Sequence, residues 1–205
     1  MANSTGKNDL FQVIWHSRSL RRVQLVTQCG MMEPILNTGE NRMSLEQDIE
    51  KLAAQEQRLQ LDRFDNAAAW ELGTRIKAIC EARRVAVTTE VRLAKETVFF
   101  YAMPGTTPSN ADWVRRKRTA VELLQRSSYA IGRSLEKEGT SLEQKTGLPT
   151  RDYATHGGCF PIRVRGVGCV GTVTVSGVPQ REDHAIVVEA LAALAGVPLA
   201  EVALE

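Results

Sequence analysis

The sequence predicts an α+β (α/β) domain, a largely antiparallel sheet flanked by helices, from elements in the order α-β-α-β-β-α-α-β-β-α. Two observations carry that prediction. The β-rich runs come in adjacent pairs, "RVAVTTEVRL" with "KETVFFYAMPG" and "CFPIRVRG" with "GCVGTVTVSG", each pair separated by a short turn. The runs between them repeat apolar residues at three- and four-residue spacing, as helices lying on a sheet must.

Residues 1–42 have neither clear periodicity nor a signal-peptide core, and read as a disordered N-terminal extension to a domain spanning 43–205. Ser44 is expected to open the first helix. Leu45, Ile49, Leu52 and Ala53 form its apolar face, and Ser44 with Gln47 matches a capping box. "RLQL" is a short strand. Asp65 caps a second helix, whose stripe is Ala69, Leu72, Ile76, Ile79 and Cys80. The first hairpin turns near Leu93–Lys95. A long helix follows from about Asn110 to Lys137, broken near Ser127–Ser128, and "TGLPTRDYATHGG" is a loop. The second hairpin turns at Gly166–Gly168, with Val173 and Val175 facing one way and Thr172, Thr174 and Ser176 the other. The final helix spans Gln180 to Ala195 and is stopped by Gly196 and Pro198.

A chain of 205 residues with 43% hydrophobic and 24% charged residues suits one soluble domain. No apolar run is long enough for a membrane helix, so no membrane partner is expected. Residues 1–42 hold five basic and three acidic side chains, leaving 21 of each sign from residue 43 onward. A neutral body gives no footprint for nucleic acid. Arg115 to Arg118 are four consecutive basic residues, but on a helix they point around the cylinder rather than along one face. The four cysteines, Cys29, Cys80, Cys159 and Cys169, have no CxxC spacing, which indicates a reducing, cytoplasmic setting.

The chemistry-bearing residues cluster late in the chain. "DYATHGGCFPI" sets His156 three residues from Cys159, and Asp183 and His184 open the last helix. One reading is catalytic, with His156 as general acid or base and Cys159 or Asp183 assisting. A zinc or iron site from His156, Cys159, Asp183 and His184 has suitable donors, but no recognised ligand spacing, so no metal is expected. Gly157 and Gly158 either let main-chain amides approach an anion or simply make a tight turn. Counting by three and four from Val114 passes through Lys117, Val121, Leu124, Ser128, Ile131 and Leu135. Lys117 thus holds an inward position, where it must snorkel, pair with a carboxylate or face a ligand pocket.

The stretch "HGGCFPIRVRGVGCVGTVTVSGVPQREDHAIVVEAL" resembles the haem-degrading domain family, GlcG- and HbpS-like proteins. The resemblance rests on Gly157, Gly158, Pro161, Ile162, Gly171, Val175, Ser176, Gly177 and Asp183. Trp113, Arg116 and Lys117, with "DYATHGG", are similar to one branch of cytosolic proteins of unassigned function. The likeness extends over about residues 44–196. It implies a profilin-like fold, homo-oligomeric assembly and a small-molecule ligand, which is haem or a corrinoid in some relatives. Relatives that ligate haem use a histidine from the N-terminal helical region, and residues 43–155 contain none. The cofactor is therefore unassigned, with haem a candidate by resemblance. The expected binding set is Arg116, Lys117, His156, Gly157 and Gly158 around an anionic group.

Overall fold

In the computed structural model, residues 38–204 are described, with backbone only for 38–43. The expected extension therefore falls almost wholly outside the described residues. The first helix, α1, spans Thr38–Arg58, so Ser44 lies inside it rather than capping it.

The elements then follow the expected order. They are β1 (Gln60–Leu61), α2 (Asn66–Arg83), β2 (Thr88–Leu93), β3 (Glu96–Ala102) and α3 (Pro108–Leu124). Next come α4 (Ser128–Glu138), α5 (Leu142–Thr146), β4 (Cys159–Val164), β5 (Gly168–Ser176) and α6 (Gln180–Ala195). One element, α5, falls where a loop was expected. Its cause is local: Ser141 Oγ accepts from the Gln144 amide, and the Gln144 side chain accepts from the Ser141 amide.

The five strands form one sheet in the order β1-β4-β5-β2-β3. Every pairing is antiparallel except that of β1 with β4. The first hairpin turns through Ala94 and Lys95, both at positive φ, the geometry of a tight two-residue reversal without glycine. The break between α3 and α4 has two causes. Gln125 takes a left-handed conformation that ends α3, and Ser127 Oγ accepts from the Ala130 amide to start α4. The Ser127 amide also donates to Glu56 Oε1 at 2.8 Å, tying the break to α1.

Both faces of the sheet are covered. On one, Val91, Phe160, Ile162, Val173 and Val175 pack against Ala69, Leu72, Ile76 and Cys80 of α2 and Ile186, Val187, Ala190 and Leu191 of α6. On the other, the alternate residues Glu90, Thr172, Thr174 and Cys159 are buried beneath α3. There Arg118 forks onto Glu90 (2.8 and 2.9 Å) and Arg92 pairs with Glu122 (2.8 Å). One layer is hydrocarbon; the other is hydroxyl and charge.

Beyond the end of the sheet, Gln55 of α1 makes a polar tie. Its amide nitrogen donates to the Val202 carbonyl (2.6 Å), and its oxygen meets His184 Nε2 (2.8 Å). Complete burial among Tyr129 and Phe160 drives the His184 pKa down to about 3, so the ring is neutral and its Nε2 proton is donated to Gln55.

Candidate functional site

The chain crosses the same end of the sheet three times: the 156–158 loop enters β4, β5 ends at Ser176, and α6 begins at Gln180. Helix α3 passes over this end, and its inward position is Lys117, which is 2% exposed. Burying an ammonium group is unfavourable unless it is paired. Lys117 Nζ donates to Asp183 Oδ2 at 2.7 Å and to the Val175 carbonyl at 3.1 Å. Asp183 Oδ1 accepts from the amides of Gly177 and Val178, both at 3.1 Å. Burial lifts the Asp183 carboxyl above its ordinary value, with Lys117 and the two amides pulling it back.

Over this pair opens a cleft of about 250 Å³. Lys117 and Asp183 border it, Trp113 and His156 form one wall, and Asn110, Ser176 and Gln180 supply further polar groups. Trp113 and His156 meet edge to face, with ring centroids 4.9 Å apart. Partial burial, then the charges of Lys117 and Arg116, lower the His156 pKa from its ordinary value. His156 is therefore a neutral imidazole at neutral pH, able to donate from one nitrogen and accept at the other.

The two glycines answer to close packing. A Cβ on Gly157 would overlap the Gln180 carbonyl, and one on Gly158 would strike the Val175 carbonyl and lie 2.9 Å from Lys117 Nζ. Gly158 also sits at φ +119°, which side chains rarely adopt. The Gly157 amide does not open onto an anion, because it donates to Gln180 Oε1 at 3.3 Å.

Arg116 contacts the tryptophan of the cleft wall. Its guanidinium lies 4.4 Å from the centroid of the Trp113 ring, and its Nε donates to the Thr150 carbonyl at 2.9 Å. It braces the loop and the tryptophan wall.

Cys159 is buried behind the site. Its sulfur accepts from Thr174 Oγ1, and burial pushes its pKa up to about 12, which leaves no thiolate for nucleophilic work. His184 is held by Gln55 away from His156. Among the described residues no group of three or more His, Cys, Asp or Glu converges to hold a metal.

Sequence reasoning brought Lys117, His156 and Asp183 to notice but did not join the first to the last, which lies 66 residues away. It missed Gln180, whose place in the first turn of α6 was the one available signal.

A five-stranded sheet closed on both faces by helices, with a cleft at one end, defines an α/β domain of the profilin-like class. Comparison with known proteins agrees. Residues 64–192 match the family described as haem degrading protein HbpS-like, and the chain belongs to that family. The UPF0303 protein of Azotobacter vinelandii is 53% identical over 163 residues, covering 80% of this chain and 98% of its own. That of Rhizobium meliloti is 50% identical over 154 residues, 75% and 94% of the two chains. The crystal structure of the Ybr137w protein superposes with a TM-score of 0.67 at 28% identity, over 72% of this chain and 87% of that one. The crystal structure of a PduOC:heme complex shares the fold at 16% identity and a TM-score of 0.56, over 63% and 94% of the two chains.

Proposed function

We propose that the protein binds a small organic acid, or another molecule with an acceptor group on a flat body, in the cleft above Lys117 and Asp183. The observation that carries this reading is the buried pair itself. Lys117 has three N–H groups, and two have acceptors within the chain. Asp183 spends both oxygens on Lys117 and two amides. The pair offers a ligand a donor in preference to an acceptor, beside the flat wall of Trp113 and the neutral His156. We place the protein in the cytoplasm, working as a homo-oligomer.

Haem, which the family description names, does not fit inside this cleft. His156 is the sole histidine lining it among the described residues. The volume of about 250 Å³ is below the range of roughly 300–1,000 Å³ usual for sites that enclose drug-sized ligands. A propionate edge fits, a whole macrocycle does not.

The test begins with native mass spectrometry of the full chain purified without added ligand, followed by calorimetry with hemin and a panel of small organic acids. Expected are retention or binding of a small acid and a loss of about ten-fold in affinity on His156→Ala or Trp113→Ala. Equal affinity in both variants, or binding of no acid at all, overturns the reading.

A second reading is enzymatic, with His156 as general base, and the lowered pKa favours it. It requires turnover of the bound acid that His156→Gln abolishes while affinity stays within about two-fold.

A further inference from the structure

The two edges of the sheet are unequal. β1, at one edge, has two residues and offers almost no free backbone. β3, at the other, has seven residues, "ETVFFYA", with neither lysine nor proline, the residues that usually guard an edge. Its register slips at Val98, and Phe99 to Ala102 then run regularly beside β2, with no strand on their other side among the described residues.

Along this edge runs a groove of about 600 Å³ between β3 and the outer flank of α2. It has protruding parts and a hollow. Trp70 is 65% exposed and Phe100 50% exposed, while Thr74 and Ala78 leave the shallow floor between them. The position of Trp70 is supported from within: its ring meets Phe99 edge-on at 5.7 Å, and Gly73 lacks the side chain that would displace the Phe99 ring.

We propose that this surface is the interface with a second copy of the chain, joined antiparallel β3 to β3 about a two-fold axis, with each Trp70 seated against the other copy's α2. Three observations favour a second copy over an unrelated partner. The patch carries both knobs and hollow, as a two-fold interface made of one surface must. An antiparallel strand edge is its own complement, so two copies of Phe99–Ala102 satisfy each other's backbone. The charges along α2 are already paired internally, Arg75 with Glu71 (2.7 Å) and Lys77 with Glu81 (2.5 Å). These α2 charges therefore set no unpaired like charge against the same flank of a second copy. The inference rests on the oligomer part of the proposed function and is independent of the cleft.

The experiment is sedimentation equilibrium of the full chain over a wide concentration range, for the wild type, Trp70→Glu, Phe100→Lys and Val167→Lys. Val167, at the tip of the β4–β5 hairpin, is 71% exposed and serves as the control. Circular dichroism checks that each variant is folded. The expected result is an oligomer that Trp70→Glu and Phe100→Lys each weaken by about ten-fold or more, and that Val167→Lys leaves unchanged. An oligomer indifferent to both edge variants overturns the placement and leaves the oligomer reading standing. A wild type that is monomeric at every concentration overturns both.

Discussion

On one side of the sheet, Val91, Ile162, Val173 and Val175 meet the apolar stripes of α2 and α6; on the other, Glu90, Arg92, Thr172 and Thr174 lie under the charged side of α3. The first layer is bound by close packing, which is non-directional and tolerates small shifts. The second depends on directional pairs, each of which fixes a side chain in place. The cleft lies at the end of the second layer. An ammonium group can be held at its floor there because the surroundings already supply carbonyls and carboxylates.

The largest expected effect tests whether the polar layer holds as firmly as the apolar one. Lys117→Met leaves Asp183 buried without its ion partner and should lower stability by about 3–5 kcal/mol in urea denaturation. Adding Asp183→Asn, which keeps an oxygen for the Gly177 and Val178 amides, should recover most of that loss. A double variant as unstable as the single one would mean that the pair, not the unpaired charge, stabilises the fold. Next comes the apolar layer. Ile76→Ala opens a cavity at a fully buried position and should lose about 2–5 kcal/mol with no change at the cleft. Calorimetry with the bound acid reads that second half, and weakened binding would mean the two layers are coupled. Gly158→Ala should lose about 1–3 kcal/mol, through positive φ and overlap with the Val175 carbonyl, and should also displace Lys117.

The smallest of these effects depends on pH. The native His184 pKa of about 3 lies below the ordinary 6.5, so below pH 6.5 the unfolded chain binds a proton that the native state refuses. Stability therefore falls as pH drops from 6.5 toward 3, by up to about 1.4 kcal/mol per pH unit. His156 acts in the same direction but more weakly, being exposed. The raised Asp183 pKa acts the other way in more acidic solution. Thermal melts at pH 7 and 5.5 should show a drop that His184→Gln reduces; an unreduced drop would assign the acid sensitivity to another group.

Local signals were legible in the sequence, and long-range ones were not. The bounds of α6 followed from Gln180, Gly196 and Pro198, and the break at Ser127–Ser128 from two adjacent serines. The inward position of Lys117 followed from helical spacing. Its partner did not, since nothing near Lys117 points to Asp183. Helix α5 was readable in Ser141 and Gln144 but was outweighed by the turn-forming residues around it. The bond from Arg116 to the Thr150 carbonyl was not legible, because that carbonyl comes from a loop of no regular pattern. Alternation along β5 assigned its residues to two faces; only the packing of α3 revealed that the hydroxyl-bearing face is covered too.

The thiols divide along the same boundary. Cys80 lies in the apolar layer and Cys159 in the polar one, both buried, with pKa values raised to about 11 and about 12. Neither can be alkylated until its own neighbourhood opens. The native protein thus carries two built-in clocks, and the time courses of reagent uptake at these positions, resolved by peptide mass, report which half of the molecule breathes first.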